Sequence, residues 1–250
     1  MNEVINQLKN HRSIRKYSAQ PVTREQIEAI VEAAQAASSS SNVQAYSVIA
    51  VTDQARKDKL EELCGHQSYI AECPVFLVWC GDLSRLKSAA GRHLPERETY
   101  ETYEDTTENF IVATVDAALA AQNAAVAAES LGLGIVYIGG IRNRSEEVAE
   151  LLALPELAYP VFGMCVGYPD QEPGLRPRLP QEAVLHWNEY DRERSERGVE
   201  QYDDTMVKYL RERTGGAKDT PWSVLMAEKL AQPARLHMRE FLQLRGFGLK

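Results

Sequence analysis

Apolar residues recur at helical spacing in some stretches of the chain and run almost unbroken in others. Val4, Ile5 and Leu8 predict a short amphipathic helix that ends near His11. Thr23 and Gln26 form a capping-box start for a helix with Ile27, Ile30, Val31 and Ala34 on one face, and Ser38-Ser39-Ser40-Ser41-Asn42 is its polar stop. Tyr46–Val51 and Val75–Cys80 predict two buried strands, with Asp53 capping a helix between them. Ser84 to Asp105 is strongly charged and predicts a solvated helix or excursion.

Thr107–Leu131 is the longest helical pattern, rich in alanine and closed by Gly132. Apolar positions wrap much of its circumference, which predicts burial on more than one side and a place at a subunit interface. Gly134–Ile138 predicts a third strand ending at Gly139-Gly140. Asn143 and Glu146 are the expected start of a helix reaching Leu152, and Val161–Tyr168 is the expected fourth strand. A proline-rich stretch, Pro169 to Pro180, follows. From His186 the pattern is helical and charged, broken at Thr214-Gly215-Gly216 and Pro221. Strands and helices do not alternate strictly, so the expected class is α+β.

Composition narrows the functions. A chain of 250 residues, 44% apolar, has core enough to fold without disulfides or metal. A net charge of −8 argues against nucleic acid or an acidic membrane as partner. The N-terminus has no signal-peptide pattern, and the apolar stretches read as too short or too interrupted to span a bilayer, so a reducing cytoplasm is expected. The cysteines at 64, 73, 80 and 165 form no C-x-x-C. Cys80 and Cys165 lie in apolar runs and read as structural, while the five histidines have no ligand spacing. No metal site is expected. Gly132-Leu133-Gly134 fails as a dinucleotide fingerprint because it follows a helix and opens a strand, and no Walker loop or G-x-S-x-G elbow occurs.

What remains is a set of separated loops rich in cations, hydroxyls and glycines. His11-Arg12-Ser13-Ile14-Arg15 offers two guanidinium groups, an imidazole and a hydroxyl, well suited to a phosphate. Ser38 to Ser41 offers hydroxyls and backbone N–H groups, and Arg176-Pro177-Arg178 two more cations on a stiffened chain. Gly139-Gly140 lets backbone amides approach a flat ring. Taken singly, each also reads as an ordinary solvated face, loop or turn.

Taken in order, these segments resemble the nitroreductase family, and within it the NADPH-preferring flavin reductase and oxygen-insensitive nitroreductase group. The resemblance runs from His11 nearly to the C-terminus. It includes the serine run with Gln44, the residues Gln67 and Tyr69, and Ala121-Gln122-Asn123-Ala124 with Ala127 to Gly134. Tyr137-Ile138-Gly139-Gly140-Ile141-Arg142-Asn143 and Leu175-Arg176-Pro177-Arg178-Leu179-Pro180 complete it.

The resemblance implies a nitroreductase-like α+β domain over 1–250, with a core at 1–185 and a helical C-terminal extension at 186–250. It implies a central, mostly antiparallel sheet flanked by helices, in an intertwined homodimer. Each subunit would hold one FMN, with NADPH, or NADH in its place, as donor and small flat molecules as acceptors. The cofactor-binding set it implies is His11, Arg12, Ser13, Arg15, Ser38, Ser39, Ser40, Ser41, Gln44, Gln67, Tyr69, Tyr137, Ile138, Gly139, Gly140, Arg176 and Arg178. Arg213 and Lys218 would read the NADPH 2′-phosphate. No side chain is expected to be catalytic in its own right, because FMN carries the chemistry. A flavin-binding redox sensor and a flavin-free helical interaction protein are the alternatives.

Overall fold

The structure, a computed structural model, describes residues 2–93 and 106–249. The part of the expected charged excursion at 94–105 therefore lies outside the described residues. The chain forms two compact units, one of Met1–Gly174 with His237–Lys250 and the other of Leu175–Leu236.

In chain order the first unit contains α1 (Glu3–Lys9), α2 (Arg24–Gln35), β1 (Tyr46–Val51), α3 (Gln54–Leu63) and α4 (Tyr69–Glu72). These are followed by β2 (Val75–Asp82), α5 (Ser84–Gly91), α6 (Thr107–Ser130), β3 (Gly134–Ile138), α7 (Ser145–Leu151) and β4 (Ala158–Gly167). The second unit holds α8 (Arg192–Thr214) and α9 (Trp222–Leu230), and α10 (Met238–Leu244) belongs again to the first.

The four strands form one antiparallel sheet in the order β1-β2-β4-β3, as the α+β reading requires. Every residue of β2 is buried because helices cover both faces of the sheet. Val75, Leu77 and Trp79 point to one face, where they meet Ala120, Ala121, Ala124 and Ala128 of α6 and Ile30 and Ala34 of α2. Phe76, Val78 and Cys80 point to the other, against Leu60, Leu63, Ile70 and Val148. The alternation that a strand imposes on its side chains thus separates two cores. All four cysteines are unpaired and buried, Cys64 and Cys73 included.

Local signals hold where the forces are local. Thr23 and Gln26 make both capping-box bonds, and Asp53 accepts from the Arg56 amide at 2.9 Å. Gly132, at φ +77°, stops α6 in the left-handed conformation that a side chain would resist.

Other expectations are corrected. The helix after β3 starts at Ser145, with Arg144 as its cap residue and no side-chain cap bond. Asn143 instead closes a 3-10 turn over Gly139–Arg142, its N–H donating to Gly140 O at 2.8 Å and its side-chain amide to Cys64 O at 3.4 Å. The fourth strand begins at Ala158, three residues before Val161, and ends at Gly167. Pro160 is tolerated there because the β2–β4 register shifts between Trp79 and Cys80, and β3 pairs with β4 only from Gly163 onward. In α1, Val4, Ile5 and Leu8 are all exposed, and Gln7 ties the helix to Val126 O at 2.6 Å.

The expectation that the apolar stretches are too short or too interrupted to span a bilayer is corrected at the long helix. With 24 residues, α6 is apolar and long enough to cross a membrane by length and composition alone. Its inner face nevertheless carries the buried polar residues Asn109 and Asp116 and packs on the sheet through alanines. Ile111, Val115 and Leu119, one turn apart, form an exposed apolar stripe on its outer face.

Candidate functional site

The first group of predicted residues gathers at the end of β3. Ser13 makes a parallel bridge to Ile135, and the Ile14 amide donates to Ile135 O at 2.9 Å, so the basic segment is stitched alongside the strand. His11 Nδ1 lies 2.5 Å from Glu129 Oε1 at the end of α6. Arg12 reaches Glu172 at 3.3 Å through Nη1, while its Nε is buried with no hydrogen-bond partner among the described residues. Leaving a charged donor in that condition costs about 1–3 kcal/mol or more, so this atom calls for an acceptor.

Where β3 ends, the 3-10 turn carries Gly139 and Gly140. A side chain at Gly140 would put its Cβ 2.4 Å from both Cys64 O and Gln67 Nε2, so only glycine lets these segments meet. Gln67 donates to Cys64 O at 2.8 Å and accepts from the Tyr69 hydroxyl. The Arg15 guanidinium stands over the Tyr69 ring at 6.0 Å. Arg15, Tyr69, Gln67 and Gly140 therefore form one connected wall. Its loop is fixed from below by Lys57, 4% exposed, whose ammonium donates to Cys73 O at 2.7 Å and Ala71 O at 3.2 Å.

Beside Gly139 lies a shallow, open cavity of about 370 Å³, lined by Ala118, Gln122, Tyr137, Gly139, Arg142 and Phe162. Tyr137 and Phe162 meet edge to face at 5.2 Å, and the Tyr137 hydroxyl lies 3.4 Å from Gln122 Oε1. Burial, and then the charge of Glu129, push the Tyr137 phenol above its ordinary range, so it stays a protonated donor. Ile138 is buried, packed in the core with Val136 and Ile141.

The serine loop is a second group, standing on the first half of α6. Ser41, Asn42 and Gln44 have φ of +48°, +58° and +53°, a left-handed run of non-glycine residues. Each such residue costs about 1–3 kcal/mol and persists only when its surroundings over-determine it. The buried Asp116 carboxylate provides the determination. It accepts from Ser39 Oγ at 2.9 Å, Ser40 N at 3.0 Å and Ala45 N at 3.0 Å. Bonds to a charged acceptor contribute about 1.5–3 kcal/mol each, enough to offset the backbone strain. Ser38, Ser40, Ser41 and Gln44 are exposed.

The remaining predicted residues belong to the second unit. Arg176 and Arg178 are exposed on either side of Pro177, whose carbonyl accepts from Tyr202 of α8 at 2.8 Å. Arg213 donates to the Tyr209 hydroxyl at 2.9 Å, and the Lys218 amide donates to Thr214 Oγ1 at 2.9 Å. Among the described residues no cluster of acidic, histidine and cysteine side chains could hold a metal ion.

Asp116, Lys57, Gln122 and Phe162 are the site residues that sequence reasoning missed. Only Asp116 left a trace, an acid standing one turn from Val112 and Ala120 on the face that packs. An unsatisfied guanidinium N–H, an aromatic-lined cavity and a glycine surface together suit a planar ligand that also carries an anionic group.

Residues 8–168 match the nitroreductase family, and residues 176–250 match the C-terminal domain of that family. The FMN reductase (NADPH) of Bacillus subtilis (strain 168) is 42% identical, covering 99% of both chains. The NADPH-flavin oxidoreductase of Vibrio harveyi is 41% identical, again covering 99% of both. The solved structure of B. megaterium NfrA1 superimposes with a TM-score of 0.94 at 45% identity, covering 99% of this chain and 100% of that one.

Proposed function

The chain belongs to the nitroreductase family, and from that premise we propose that it is an FMN-dependent NADPH oxidoreductase acting as a homodimer. The observation that carries the reading is the buried Nε of Arg12, which has no hydrogen-bond partner among the described residues. In this proposal Arg12 and Ser13 hold the FMN phosphate, with His11 fixed by Glu129 beside them. Arg15, over Tyr69, lies toward the pyrimidine end of the ring, where a fixed cation stabilises negative charge. Gln67, Tyr69, Tyr137, the Ile138 backbone, Gly139 and Gly140 form the ring's bed, and the serine loop with Gln44 supports it from its own or the partner subunit. In the second unit, the resemblance alone supports Arg176 and Arg178 as phosphate cations and Arg213 with Lys218 as readers of the NADPH 2′-phosphate.

FMN held by these residues would supply the hydride chemistry between NADPH and an acceptor. The chain's own part is to bind, orient and limit access. The cavity of about 370 Å³ suits nitroaromatics, quinones or free flavins. Tyr137, whose hydroxyl donates to Gln122 Oε1, would orient what enters through its ring and its oxygen.

The exposed stripe of Ile111, Val115 and Leu119, with Val4, Ile5 and Leu8 also open, supports a second copy as its cover. The four unpaired thiols accord with a soluble protein of the reducing cytoplasm.

Stopped-flow spectroscopy tests the reading. NADPH should bleach the bound flavin, menadione or nitrofurazone should restore it, and product patterns should follow ping-pong kinetics. Flavin that binds but is reduced by neither nicotinamide would mark a redox sensor. A colourless protein that cannot be loaded would mark an interaction protein instead. Light scattering should give the mass of a dimer.

A further inference from the structure

Asp116 anchors the serine loop from beneath. It is 1% exposed in the middle of an alanine-rich helix, where a carboxylate needs a full set of donors. All the donors it takes come from one loop. Oδ2 accepts from Ser39 Oγ and Ala45 N, and Oδ1 from Ser40 N. Ser39 is thereby fixed in orientation. Its hydrogen goes to Asp116, and its oxygen accepts the Gln44 amide at 2.7 Å.

The opposite polarity of the same loop is held by Arg85. Its Nη2 donates to Gln44 O at 3.1 Å and also to Tyr46 O. Its Nη1 donates to Ser47 Oγ at 2.7 Å and Asp82 Oδ2 at 3.2 Å, and Asp82 is itself buried. The loop is gripped by an anion through its N–H and O–H groups and by a cation through its carbonyls. Between these grips lie the left-handed residues Ser41 and Asn42, which turn the exposed hydroxyls outward.

We propose that Asp116 is a positioning residue that pre-forms the serine loop for FMN, with Ser39 as its strut. Arg85 acts with it on the carbonyl side. The ligand-facing members of the run are then Ser38, Ser40 and Ser41, which are exposed. This rests on the FMN reading and adds what shapes the site before the cofactor arrives.

The test compares the full-length protein with Asp116→Asn, Ser39→Ala and the double variant. An amide cannot accept from both sides, so Asp116→Asn leaves at least one loop donor facing an NH2 group. The expected result is an FMN dissociation constant raised about tenfold by either single change, and little further by the pair. In the apoprotein the Ser40 and Ala45 amides should exchange faster while those of α6 beyond the loop do not. Visible circular dichroism of the bound flavin should change, a signature that general destabilisation would not give. Wild-type FMN affinity in both single variants, or fully additive losses in the pair, would overturn the proposal. A wild-type chain that takes up no FMN would overturn the functional reading as well, whereas loss confined to the variants would not.

Discussion

Two loops of the first unit are held by opposite means. The serine loop is fixed by a buried carboxylate that collects N–H and O–H donors, with Asp116 accepting from Ser39, Ser40 and Ala45. The Gln67–Cys73 segment, a loop closed by the single turn of α4, is fixed by a buried ammonium that supplies donors to carbonyls, Lys57 to Ala71 and Cys73. The first is strained and left-handed at Ser41, Asn42 and Gln44, and the second is braced instead by a backbone contact at Gly140. The difference teaches that a polar loop has no shape of its own. A single buried charge of the sign opposite to the groups that the loop presents can impose one.

Substitutions at each anchor should separate the two devices. The largest effect is expected from Gly140→Ala, which forces a Cβ against Cys64 O and Gln67 Nε2, both at 2.4 Å. Overpacking against backbone costs about 3 kcal/mol, read as a lower urea midpoint, and Gln67 should be displaced from the flavin bed. A wild-type midpoint would show that the two segments can part freely.

Arg12→Ala comes next and touches neither anchor. It should weaken FMN binding by about 1.5–3 kcal/mol while changing apoprotein stability little, because Nε has no partner among the described residues and the Nη1 contact is a long pair to an exposed Glu172. Equal loss of apoprotein stability would mean that the guanidinium is structural.

Lys57→Met should cost about 1–3 kcal/mol by leaving the Ala71 and Cys73 carbonyls without their donor. FMN affinity should fall less than in Asp116→Asn, because the backbone contact at Gly140 still holds the second loop. A larger fall would erase the distinction between the loops.

The smallest effect at neutral pH concerns Cys64, the residue that ends α3 ahead of the second loop. Burial, and then the charge of Glu61, push its thiol from 9.0 up to about 12. An acid whose folded pKa is raised gives up stability as pH climbs from the unfolded value toward the folded one. Stability should therefore decline between pH 9 and about 12, and less steeply in Cys64→Ala. An unchanged slope in that variant would remove Cys64 as a cause.

The sequence made legible what short-range forces decide. The cap at Thr23, the cap at Asp53, the stop at Gly132 and the strand Gly134–Ile138 all follow from neighbours within a turn or two. What it hid depends on distant partners. Asn143 looked like a cap, but it serves a turn folded against Cys64. Phe241, Leu242 and Phe247 read as part of a charged tail, yet they pack with Val112, Leu157 and Tyr159 in the first unit. The binding loops could be named through a resemblance, whereas the charges that hold them, Asp116 and Lys57, carry no mark of their purpose in the local pattern.

Equilibrium dialysis of the full chain against FMN tests the central claim most directly. The account predicts one flavin retained per chain in the wild type and a clear loss of retention in Arg12→Ala. A wild-type protein that emerges colourless, or an Arg12→Ala variant that keeps its full complement, would contradict it.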